Sequence, residues 1–77
     1  MPTLLLLFGL RFFFYSDEHL PIHVHVENGD GKAKIDVLTG TVIDNNGLKT
    51  KDLNRAIDAV RLYKEDFINA WNEYFGE

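Results

Sequence analysis

The chain has 77 residues, of which 45% are apolar, so it is one domain with a thin core: a chain this short buries only about 60–65% of the surface it exposes when unfolded. It has no cysteine, which excludes disulfides and thiolate metal sites and fits a cytoplasmic protein. The formal net charge of −4 argues against charge-driven nucleic-acid binding by the domain as a whole.

The N-terminus is apolar from Leu4 to Tyr15 but has no basic segment before that run and no small-residue cleavage site after it. Arg11 interrupts it, and it falls far short of the roughly 20 residues that span a bilayer. It therefore reads as folded structure. Residues 3–8 and 11–15 form two strands around Gly9-Leu10, since glycine at the first central position suits a two-residue hairpin turn. That register sets Phe8 opposite Arg11, Leu7 opposite Phe12, Leu6 opposite Phe13 and Leu5 opposite Phe14. Both faces of this hairpin are then apolar. A single helix covers only one of them, so the hairpin at 3–15 is expected to bind a protein partner or a second copy, giving a homodimer.

Residues 16–21 carry no repeating pattern and form a connection. Ile22, Val24 and Val26 then alternate with His23, His25 and Glu27, the period of a half-buried strand. Asn28-Gly29-Asp30-Gly31 is turn chemistry, and Ala33, Ile35 and Val37 alternate again. Closing this second hairpin, 22–38, pairs Val26 with Ala33, Val24 with Ile35 and Ile22 with Val37 on an apolar face. The polar face pairs Glu27 with Lys32, His25 with Lys34 and His23 with Asp36. After a turn at Thr39-Gly40, residues 41–44 supply a further short strand. Thr50 is placed to cap a helix over 51–75, where apolar residues recur at three and four positions from Leu53 to Phe75 and Gly76 supplies the stop. The fold class is α+β: an antiparallel sheet of four or five short strands with one long C-terminal helix on one face, in a single domain over 1–77.

All three histidines fall within seven positions, His19, His23 and His25. On a strand, His23 and His25 share a face with Cα atoms about 6.8 Å apart. Three readings stand side by side. In the first, His23 and His25 are acid–base residues, Asp36 orients an imidazole and Lys34 binds an anionic oxygen; this suits RNA, whose own 2′-hydroxyl is the nucleophile. Lys32, Lys49, Lys51 and Arg55 would then contact phosphates. In the second, His19, His23 and His25 hold a divalent metal such as zinc, with Asp17 or Glu18 folding back as a further ligand; otherwise no cofactor is expected. In the third, the histidines are structural, and the chain is a non-catalytic module that binds protein through its apolar hairpin.

Gly9-Leu-Arg-Phe-Phe-Phe-Tyr-Ser16, Asp17-Glu-His-Leu-Pro-Ile-His-Val-His-Val-Glu27 and Ala70-Trp-Asn-Glu-Tyr-Phe-Gly76 together resemble a family of small bacterial domains of unknown function. Its members read Phe-Tyr-Ser-x-Glu-His-x-Pro-Pro-His-Val-His-Val in this stretch, and Ile22 stands where they carry the second proline. The resemblance covers nearly the whole chain and keeps the histidines in place. It implies one component of a toxin–antitoxin-like gene pair, because family members are often encoded beside another small protein. It implies no particular reaction.

Overall fold

The computed structural model describes residues 3–76. Five strands form one antiparallel sheet in chain order: β1 (Thr3–Leu7), β2 (Leu10–Phe13), β3 (His23–Glu27), β4 (Lys32–Asp36) and β5 (Val42–Asn46). Two helices follow, α1 (Thr50–Leu62) and α2 (Lys64–Phe75). The core lies between them and one face of the sheet. It is built from Leu10, Phe12 and Phe14, Val24 and Val26, Ala33, Ile35 and Val37, closed by Ala56, Ala59, Val60, Phe67 and Trp71.

The second hairpin follows its side-chain alternation. His23 faces Asp36, Val24 faces Ile35, His25 faces Lys34, Val26 faces Ala33 and Glu27 faces Lys32. Val37 N–H donates to the Ile22 carbonyl at 3.0 Å and extends the pairing by one residue on each side. The turn is held by the Asn28 side chain, whose Oδ1 accepts the N–H groups of Asp30 and Gly31. One residue of slip would have put both valines into water.

The first hairpin differs from the expected register. Its turn residues are Phe8 and Gly9, with φ of 57° and 75°, so Leu7 pairs with Leu10, Leu6 with Arg11 and Leu5 with Phe12. The reason lies in Leu10, which shares a face with Phe12 and Phe14 and is fully buried with them. A left-handed backbone at Phe8 costs about 1–2 kcal/mol, while a leucine left in the turn forfeits about 1.5–3 kcal/mol of burial. Burial wins. The opposite face of the hairpin is also less bare than expected: Phe13 is covered by the Arg11 guanidinium at 4.4 Å and by the rings of Tyr15 and His25.

The long helix expected over 51–75 is two helices. Tyr63, at φ −104° and ψ 21°, ends α1 and leads into α2, although its N–H still reaches the Ala59 carbonyl. A straight helix of that length would run roughly 37 Å, beyond the 35 Å longest extent of the molecule. The bend brings Phe67 against Phe12 and Trp71 against Phe14. Thr50 begins α1, but Lys49 occupies the cap position and makes no side-chain cap hydrogen bond among the described residues.

Candidate functional site

The strand alternation that buries Val24 and Val26 turns His23 and His25 to the other face. Their surroundings differ from a solvated sheet surface. Their side chains are 3% and 12% exposed, and the carboxylate of Glu18, 10% exposed, lies between them. Glu18 is carried there by the connection from β2 to β3, where Tyr15 N–H donates to its Oε2 at 3.0 Å. Its Oε1 lies 2.8 Å from His23 Nε2 and its Oε2 lies 2.7 Å from His25 Nε2. Aromatic rings wall the cluster: Trp71 packs on His23, and Tyr15 and Phe13 pack on His25.

The hydrogen-bond arithmetic of this cluster is unusual. His23 Nδ1 lies 2.7 Å from the Pro21 carbonyl, which only accepts, so Nδ1 carries the proton. Its Nε2 nonetheless faces a second oxygen, that of Glu18. A neutral imidazole has one N–H, so this arrangement requires a second proton or a cation on the Nε2 side. His25 Nε2 is buried and, despite its closeness to Glu18, has no aligned hydrogen-bond partner among the described residues.

Burial raises the Glu18 carboxyl, but the Tyr15 N–H, the His23 hydrogen bond and the charge that His25 and His23 carry when protonated together outweigh it and hold Glu18 below its ordinary value. For His25 burial is the largest influence and lowers it; His23 and Lys34 add to the lowering, and Glu18 opposes without reversing it. The cluster thus favours an ionised carboxylate beside a neutral His25, the protonation states in which these groups ligate metals.

Glu18, His23 and His25 offer three donor atoms, all within 4.8 Å of one another. His19, next to Glu18 in the sequence, is exposed and lies outside this group. Asp17 is likewise exposed. Asp36 sits opposite His23, but its Oδ1 accepts the N–H groups of Leu38 and Thr39 and so holds the following turn. Lys34 and Lys32 line a small cavity of about 150 Å³ with Tyr15, His25, Asp44 and Asn46, and Lys32 Nζ donates to the Tyr15 hydroxyl at 3.1 Å. Lys49 pairs loosely with Asp30 at 3.8 Å, Lys51 is exposed and the Arg55 guanidinium lies over Phe8. Trp71 and Tyr15 were not expected as site residues, because helical or strand spacing marks them only as core; the one signal for them is that both fall in the stretches shared with the family.

A family model for a domain of unknown function, DUF4160, matches residues 9–72, which include the whole cluster. The chain belongs to the DUF4160 family. Comparison with curated proteins and with solved structures finds no match. No helix among the described residues is long and apolar enough to cross a membrane.

Proposed function

We propose that this DUF4160 domain binds a divalent first-row metal ion, zinc being the best match, through Glu18, His23 and His25. The observation that carries the reading is His23, both of whose ring nitrogens face oxygens: a cation between its Nε2 and the Glu18 carboxylate meets that demand without a second proton. The unaligned, buried Nε2 of His25 supports it independently. Two imidazoles and one carboxylate suit zinc and its neighbours. The Pro21 carbonyl fixes the tautomer and orientation of His23, an outer-shell partner of the kind metal-bound histidines keep. Trp71, Phe13 and Tyr15 exclude water around the donors, and Glu18 fastens the connection at residues 14–22 onto β3. A bound ion with three protein donors supplies a Lewis acid with room for one small further ligand. Elemental analysis of protein purified without a histidine tag and loaded with zinc should find one ion per chain, lost in His23→Ala and His25→Ala proteins. Substoichiometric metal in the loaded wild type would sink the proposal.

A second reading rests on the cavity beside His25, where Lys32 and Lys34 stand with the Tyr15 hydroxyl. There the domain contacts RNA phosphates, in keeping with a component of a toxin–antitoxin-like pair. Asp44 in the same wall opposes an anion, so this reading is secondary. Unchanged RNA affinity in the Lys32→Ala, Lys34→Ala double variant would remove it.

A further inference from the structure

We infer that β1 is a self-association edge, on which a second copy of this chain pairs its own β1 antiparallel across a two-fold axis. The sheet has two edges, β1 and β5, and they are finished differently. β5 carries Asp44, Asn45 and Asn46, polar and exposed, the usual means of discouraging strand addition. β1 reads Thr-Leu-Leu-Leu-Leu, with no charge and no proline. Its outer edge has no strand partner among the described residues. The irregularity in its pairing lies between Thr3 and Leu5, leaving Leu5–Leu7 in regular register with β2.

Apolar side chains flank this edge on both sides, which is what an added strand would cover. Leu6, on the face shared with Arg11, is 72% exposed. On the helix side, a groove of about 400 Å³ runs between Leu7 and Phe8 and the α1 residues Ala59 and Leu62. Phe8 and Leu62 are 59% and 74% exposed. The rim of that groove carries Arg55 and Asp58. One charge of each sign on one rim is complementary to itself under a two-fold rotation, which favours a second copy over a partner of uniform charge. The remaining acidic residues are off the strand itself.

This inference does not rest on the metal centre, and a chelator should leave the dimer intact. Sedimentation velocity on the untagged full chain, from low micromolar to a few hundred micromolar, should give the mass of a dimer. Hydrogen exchange should show β1 amides gaining protection as concentration rises. Leu6→Lys removes two leucines per dimer and sets charges into the joint, so dissociation should be at least about 100-fold easier. Its circular dichroism and melting should stay near wild type when both are measured as monomers, because Leu6 adds little to the protomer core. A wild-type monomer throughout the range overturns the inference, as does a Leu6→Lys dimer of undiminished affinity. Protection of β1 only on addition of a foreign strand also overturns it and assigns the edge to another chain.

Discussion

Replacing Glu18 by glutamine separates a metal centre from a structural hydrogen-bond cluster. In metal-free protein the amide is close to isosteric. Its oxygen accepts the Tyr15 N–H, now held at 3.0 Å, and its NH₂ donates to His23 Nε2, which then needs no second proton. The fold should change in stability by less than about 1 kcal/mol near neutral pH. Zinc should feel the change strongly, because the site loses a charge and one of its three protein donors. Outer-shell losses alone cost 10–100-fold in affinity in other sites, so about 100-fold is a conservative figure. With free zinc at about 100 times its dissociation constant, wild type gains about 2.7 kcal/mol. At roughly 4–8 °C per kcal/mol for a domain of this size, Tm rises by about 10–20 °C. The glutamine variant at the same zinc concentration gains only about 0.4 kcal/mol, or roughly 2–3 °C. Melts followed by circular dichroism, with chelator and with buffered zinc, give both numbers. A wild-type Tm unmoved by zinc, or a Glu18→Gln shift equal to wild type, refutes the reasoning.

The chelated protein should lose stability on acidification in two stages. His25 is held below 6.5 and Glu18 below 4.5 in the folded chain, so the unfolded chain binds more protons in each window and stability falls with pH. The His25 contribution is complete above about 6.5 and declines below it; the Glu18 contribution declines further below about 4.5 and should vanish in Glu18→Gln. The His25 part is isolated by comparing wild type with His25→Gln: a variant whose urea midpoint falls as steeply as that of wild type between pH 7.5 and pH 5.5 contradicts this. At the first turn, Phe8→Asn should raise the urea midpoint of the monomer. Asparagine tolerates the left-handed backbone of Phe8, relieving about 1 kcal/mol, while the exposed Arg55–Phe8 contact at 5.4 Å gives up only about 0.5 kcal/mol. A lower midpoint would show that the ring contributes more than its backbone costs.

Much of the site was legible because it sits on a strand whose period admits one answer. Val24 and Val26 needed the core, so His23 and His25 were bound to share the opposite face, and the Asn28–Gly31 turn fixed their partners as Asp36 and Lys34. The third member of the cluster was not legible to the residue. Asp17, Glu18 and His19 adjoin one another in a segment without periodicity, and all three are chemically able to ligate. Only the path of that segment, pinned by the Tyr15 N–H on Glu18, turns one inward and leaves its neighbours in water. The Trp71 wall was hidden for another reason: a tryptophan at helical spacing looks the same whether it faces valine or imidazole.

By itself, then, the sequence determined an α+β domain, the second hairpin with its register, and the face on which two histidines stand. Local alternation and turn chemistry suffice for that, because they act between residues close in the chain. Tertiary structure decided where Leu10 goes, since only the shared burial of Leu10, Phe12 and Phe14 outweighs the strained backbone at Phe8. It decided the bend at Tyr63, which no proline or glycine announces and which serves the contacts of Phe67 and Trp71 with the sheet. It also decided that Glu18 completes the cluster. That choice depends on a carboxylate meeting two imidazoles across a loop, and no spacing along the chain encodes such a meeting.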